Sequence, residues 1–305
     1  MTQEPTMDLT LGPILWYWPR EQVQAFYREA ADWPVDTVCL GETVCSRRRE
    51  MKLQDWLTIA RELREAGKQV RLASQSLIES EGDLRDLYKL CKNGEVMVEA
   101  GEQSAIQILS RAGLSFTTGP GVNIYNPTTL TLLQRDGLRS WCAPVELSRE
   151  TIAALVSESR ALGVEADCEV FAWGYLPLAI AARCMTARHY DLPKDKCQFV
   201  CRDHPHGLTL QSRESRTLFT LNGVQTLSGV RCDLLREVPK MREMGVRSVR
   251  LSPEQAGMLP VIERFRAACD GATVSQDPLA MVDTDACNGY WYGQPGMDWY
   301  PASNP

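Results

Sequence analysis

Short apolar runs alternate with amphipathic runs along most of the chain. Runs at 14–18, 38–40, 70–73, 96–99, 115–118, 139–143, 168–172 and 246–251 have the length and residue types of buried strands. Between them, residues 21–31, 53–66, 84–91, 104–112, 127–135 and 148–161 carry apolar positions at helical spacing, and a further helix follows at 253–268. In 53–66 the stripe is Trp56, Ile59, Ala60 and Leu63. Pro19 and Pro127 stand where they can open helices, and Ser148 stands where it can cap one. Eight such strand–helix units predict an α/β fold, a (β/α)8 TIM barrel. A doubly wound sheet would share the local pattern with fewer strands, but no GxGxxG or GxxxxGK[ST] supports nucleotide binding.

The pattern breaks once. Between the seventh and eighth units, residues 175–230 hold a cysteine-bearing loop and then a β-hairpin, with Asn222-Gly223 suited to a type I′ turn. After about residue 271 the chain is rich in Gly, Pro, Asp and Asn and reads as an irregular tail over the surface. One barrel-like domain over 1–305 is therefore expected, with an insertion and a tail.

A net charge of −6 argues against nucleic acid as the main partner. No apolar run reaches the ~18 residues of a membrane span. The start, MTQEPTMDLT, has neither a basic nor an apolar segment of a signal peptide, so the expected location is the cytoplasm. Eleven cysteines are then expected as thiols or metal ligands rather than disulfides.

Three of these cysteines fall close together, as Cys184-x12-Cys197-x3-Cys201, in a segment with no apolar period. Thiolates select zinc, copper(I) or iron–sulfur clusters, and a four-coordinate site needs one more ligand. Cys45, just after the second strand, Cys287 and His204 are the candidates; the last would make a Cys3His zinc site. Cys39, Cys142 and Cys168 lie inside strands, and Cys91 and Cys269 on helices, where a buried thiol is ordinary. Arg47, Arg48 and Arg49 follow Cys45 and could form a carboxylate site beside it. Glu42, Asn123, Tyr125, Asn126, Glu146 and Arg250 fall near strand ends, where barrels build their pockets; Asn222, Gln225 and Thr226 on the hairpin are weaker candidates. No HExxH or GxSxG is present, and the three histidines (His189, His204, His206) lie in or just after the cysteine loop. Protease activity is not expected.

Residues 169–184, EVFAWGYLPLAIAARC, resemble the signature of the bacterial collagenase-like peptidase family, with Glu169, Phe171, Gly174 and Cys184 in place. Tyr175 replaces a small residue of that pattern, Pro177 its first cysteine and Ala182 a glycine. The match extends over nearly the whole chain to the branch of oxygen-independent ubiquinone biosynthesis, through LGPILWYWP at 11–19, CLGETVCSRRR at 39–49, WCAPVELSR at 141–149, LNGVQTLSG at 221–229, VRLSP at 249–253 and CNGYW at 287–291. The resemblance implies a 4Fe-4S cluster on Cys45, Cys184, Cys197 and Cys201. It implies a heterodimer with the sister protein UbiU, and a lipid-binding accessory protein. It further implies ring hydroxylation of ubiquinone precursors without O2, with prephenate as the hydroxyl source. An electron-transfer or scaffold subunit and a zinc-stabilised peptidase-like protein are the alternatives.

Overall fold

The computed structural model describes residues 7–272 and 286–301. Eight parallel strands close on themselves: β1 (Asp8–Leu11), β2 (Thr37–Leu40), β3 (Gln69–Ala73), β4 (Met97–Ala100), β5 (Phe116–Thr118), β6 (Leu138–Cys142), β7 (Asp167–Ile180) and, later in the chain, Ser248–Leu251. That last barrel strand pairs in parallel with both β7 and β1, which shuts the ring. Helices α1 (Arg20–Ala30), α2 (Leu53–Glu65), α3 (Glu81–Cys91), α4 (Gln103–Arg111), α5 (Pro127–Arg135) and α6 (Arg149–Ala161) follow the first six strands. The expected (β/α)8 barrel is the fold observed.

Between β7 and the last barrel strand come a short helix α7 (Met185–His189) and three antiparallel strands, β8 (Leu208–Gln211), β9 (Thr217–Asn222) and β10 (Gln225–Asp233). Strand β7 runs well past the barrel and pairs with β10, so the insertion grows out of the barrel's own sheet. After a further helix α8 (Val238–Glu243), the closing barrel strand is β11 and its helix is α9 (Met258–Cys269). Strand β12 (Ala286–Cys287) then pairs with β10. Among the described residues no helix is long and apolar enough to cross a membrane.

Three sequence expectations change. The first strand is β1, not 14–18. Ile14 to Trp18 are all buried, but as a loop between Pro13 and Pro19 that packs Trp18 on Phe26, ring centroids 5.2 Å apart. Pro13 has no N–H to give a ladder. The hairpin loop is Gly223-Val224, flanked by the Asn222–Gln225 pair, and only Gly223 has positive φ (+67°). A type I′ turn needs positive φ at both central residues, so it is excluded. The described part of the tail, 286–301, is anchored rather than wholly on the surface: Cys287 and Trp291 are buried, and Trp291 Nε1 donates to Glu237 at 2.8 Å, while 293–295 are exposed. Residues 1–6, 273–285 and 302–305, which include most of the start and part of the expected tail, lie outside the described residues.

Inward positions of the barrel are polar, which disguised β1. Thr10, Arg71, Glu99, Glu169, Ser248 and Arg250 alternate with outward Leu9, Leu11, Leu72, Val98, Val170 and Val249, which belong to the apolar core.

Candidate functional site

The loops after β2 and β7 lie at the C-terminal end of the barrel, where (β/α)8 sites are built. After β2 the chain turns sharply at Gly41, whose φ is +121° and where a Cβ would lie 2.4 Å from Ala73 O, so only glycine fits. Glu42 then folds back, and its Oε1 accepts the N–H groups of Val44 (2.9 Å) and Cys45 (3.0 Å). Burial pushes the Glu42 carboxyl up, against the pull of Arg48 and those two N–H donors.

The cysteine loop begins beyond β7 and is tied to the hairpin. Ala181 N donates to Val224 O, Met185 N to Gly223 O, and Gly223 N to Thr186 Oγ1. Cys184 caps α7, its Sγ accepting the Ala187 N–H at 3.4 Å. Cys197 is buried, and Cys45, Cys184 and Cys201 are half-buried. Between Cys197 and Cys201, Gln198 and Phe199 hold left-handed conformations, φ +51° and +58°. For residues with a Cβ that geometry costs about 1–2 kcal/mol each, and such strain concentrates at functional positions.

The two loops clasp each other. Arg47 Nη2 donates to Asp195 O at 2.8 Å and its guanidinium lies over the Phe199 ring. Arg202 pairs with Glu50 and donates to Tyr17 Oη at 3.0 Å. Lys194 pairs with Glu79 and donates to Ala182 O. Arg48 runs through the clasp, bonded to Leu15 O and Asn222 Oδ1, and its charge acts on the Cys201 thiol. Burial pushes the Cys201 thiol up, Arg48 pulls it down, and Cys184 and Cys197 push it up again, so these three thiols share one neighbourhood. Burial also raises Cys45. Among the described residues no group of three or more His, Cys, Asp or Glu is arranged to hold a single metal ion.

The rival fourth ligands have other partners. Cys287 faces Cys232 across the β10–β12 ladder, at the end of β10 away from Gly223. His204 Nε2 is 2.6 Å from the Tyr190 hydroxyl, and the two rings stack. Cys39 lies inside the barrel, its Sγ 3.6 Å from Glu99 and 3.8 Å from Arg250. Cys91, Cys142, Cys168 and Cys269 are buried on the elements where the sequence put them.

A cavity of about 300 Å³ opens at the barrel mouth, lined by Ser74, Glu99, Asn123, Glu146, Arg250 and Ser252 among others. Of the strand-end candidates it collects Asn123, Glu146 and Arg250. Tyr125 is exposed and bonds Glu146 through its hydroxyl. Asn126 is occupied as the cap of α5, accepting from Thr129 N at 2.9 Å. Glu42, Arg48 and Arg49 line a different cavity of about 430 Å³, between the Cys45 loop and helices α2 and α3. Asn222 reaches Arg48 and Leu15 O, and Gln225 lines the barrel mouth.

Beneath the mouth lies a charge network that motif and strand-end reasoning found only in part. Arg250 donates through Nε to Glu169 at 2.5 Å and through Nη1 to Glu99 at 2.8 Å. Thr10 Oγ1 (2.7 Å), Ser248 Oγ (3.1 Å) and Arg71 Nη1 (3.2 Å) also donate to Glu169. Burial alone would raise the Glu169 carboxyl, yet Arg250 and Arg71 hold it down at about 2. Glycines keep the mouth open above the network: at Gly119 a Cβ would lie 3.1 Å from Glu99 Oε1. Gly174, the motif glycine, has φ +115°, and a Cβ there would meet Ser252 Cβ at 2.5 Å. Charged residues at alternate positions of predicted strands were the available signal for Arg71, Glu99 and Glu169.

Fold and loops thus define an eight-stranded β/α barrel with a polar mouth and a thiol-bearing clasp beside it. The chain belongs to peptidase family U32, whose model matches residues 19–286. Among solved structures it is similar to the U32 peptidase Mk0906, with 11% identity, a TM-score of 0.45, and coverage of 83% of this chain and 96% of that one. It is also similar to a Rubisco-like protein from Rhodopseudomonas palustris, with 12% identity, a TM-score of 0.49, and coverage of 88% and 65%. A tryptophan synthase structure from M. tuberculosis matches with 11% identity, a TM-score of 0.42, and coverage of 87% and 90%.

Proposed function

We propose that this U32 protein is an iron–sulfur subunit of the UbiV branch, acting as a heterodimer with UbiU in O2-independent hydroxylation of ubiquinone precursors. The observation that carries this reading is the shared neighbourhood of Cys184, Cys197 and Cys201, against which Arg47 of the Cys45 loop closes by its bond to Asp195 O. Thiolates are the ligands such clusters use. The left-handed Gln198 and Phe199 give the loop the shape of a wrapping segment, and the buried Nε atoms of Arg47 and Arg48 have no partner among the described residues. Cys45, Cys184, Cys197 and Cys201 would hold a 4Fe-4S cluster, which supplies one-electron transfer. Arg47 and Arg202 would keep the two loops closed around it. The barrel mouth, with Asn123, Glu146 and Arg250, is the place for a small polar acid, and prephenate as hydroxyl donor is of that class. A lipid-binding accessory protein would present the apolar ring substrate.

Purification without oxygen tests the reading. The protein should be brown, with about four irons and four sulfides per chain. A colourless protein with stoichiometric zinc under those conditions would sink it.

A further inference from the structure

Arg48 is 5% exposed, and a buried guanidinium is costly unless its charge and donors are matched. Its Nη1 donates to Leu15 O at 2.8 Å and its Nη2 to Asn222 Oδ1 at 2.6 Å, both neutral acceptors. Its carboxylate neighbour, Glu42 Oε1, is 3.9 Å away, and that oxygen already accepts two backbone N–H groups. The guanidinium lies over the Tyr17 ring, 5.2 Å from its centroid, and Nε has no partner among the described residues. One cation is therefore fixed at two points and incompletely neutralised. The hairpin is built around it: Asn222 anchors the fork, and a Cβ at Gly223 would come within 3.2 Å of Nη2. A lysine, with a single point charge, could not take both anchors.

The place where this charge is held is specific. Arg48 N donates to Cys45 O at 3.0 Å, and its Nη2 reaches the hairpin turn at Asn222 and Gly223, where Gly223 O accepts the N–H of Met185 next to Cys184. The residue thus lies between the Cys45 loop and the start of the cysteine loop, and its charge acts on the Cys201 thiol. Four thiolates on an iron–sulfur core form an anion that becomes more negative on reduction. A fixed, desolvated cation beside it stabilises the reduced form more than the oxidised one. We infer that Arg48 is a positioning residue whose guanidinium raises the reduction potential of a cluster held by Cys45, Cys184, Cys197 and Cys201. This rests on the cluster reading above.

The test is a redox titration of the anaerobically purified, iron-loaded chain, followed by the electron paramagnetic resonance of the reduced cluster. Arg48→Gln should keep its iron and shift the reduced-to-oxidised ratio at a fixed potential at least tenfold toward oxidised, about 59 mV for one electron. Arg48→Lys, which keeps the charge, should recover most of that shift. Should Arg48→Gln hold no iron, Asn222→Asp gives the reading instead. It sets a carboxylate against the guanidinium and should move the midpoint in the same direction. A midpoint equal to wild type in iron-loaded Arg48→Gln, or in Asn222→Asp where the first variant is empty, would overturn the role of Arg48 alone. Wild-type chain without iron would overturn the cluster reading and this inference together.

Discussion

Cys45→Ala should lose most of its iron, while Cys287→Ala and Cys39→Ala should keep it. The three thiols stand in different surroundings. Cys45 lies on the loop that Arg47 ties to the Cys184–Cys201 segment through Asp195 O. Removing one thiolate from a four-thiolate set leaves a coordination position that no neighbouring cysteine is placed to fill. Cys287 is committed to the ladder opposite Cys232, and losing its side chain removes a buried thiol rather than a ligand. Cys39 sits between Glu99 and Arg250 inside the barrel, where burial and the Glu99 charge oppose a thiolate. Iron and sulfide per chain, measured on the three variants purified without oxygen, decide the matter. An emptied Cys287→Ala beside a loaded Cys45→Ala would show the assignment to the β2 loop to be wrong.

Arg250→Met should destabilise the fold by about 3–5 kcal/mol, the scale for stripping one partner from a buried ion pair. Glu99 and Glu169 would then share Arg71 alone, with both carboxylates almost fully buried. Chemical denaturation of wild type and variant reads the loss, and a difference under about 1 kcal/mol, the range of an exposed pair, would mean the network contributes no more than a surface contact. Acid gives a second reading. The Glu169 carboxyl is held at about 2, below the ~4.3 of an unfolded glutamate. Its stabilisation is therefore complete above about pH 4.3 and is lost as pH falls through about 2. Arg250→Met should flatten that part of the stability profile, since Arg250 is the largest influence holding the carboxyl down.

Much of the architecture was readable from local pattern. A buried strand or an amphipathic helix is a property of a few neighbouring residues, so six of the eight barrel strands fell within a residue or two of 38–40, 70–73, 96–99, 115–118, 139–143 and 246–251, and β7 began where 168–172 expected it but ran on to Ile180. The eighth was misplaced because Thr10 faces Glu169 in the barrel interior, which broke the apolar run of β1, while Ile14 to Trp18 are buried without being a strand. The cap role of Asn126 was also legible, since an Asn before Pro127 is a helix-start signal; reading it as a pocket residue overlooked that.

What the sequence determined by itself was the barrel class, the family motif around Glu169 and Gly174, and the spacing of Cys184, Cys197 and Cys201. Each depends on residues close together in the chain. Only the tertiary structure decided that Glu42, Arg48 and Arg49 line one cavity while Asn123, Glu146 and Arg250 line another. It alone set Cys287 against Cys232, through strand register, and Arg48 against Asn222, through the packing of the loop after β2 on the hairpin. It also decided that four charges from β3, β4, β7 and β11 meet inside the barrel. Closure of the ring makes inward positions from distant strands neighbours, and that closure is a property of the whole sheet that no local window contains.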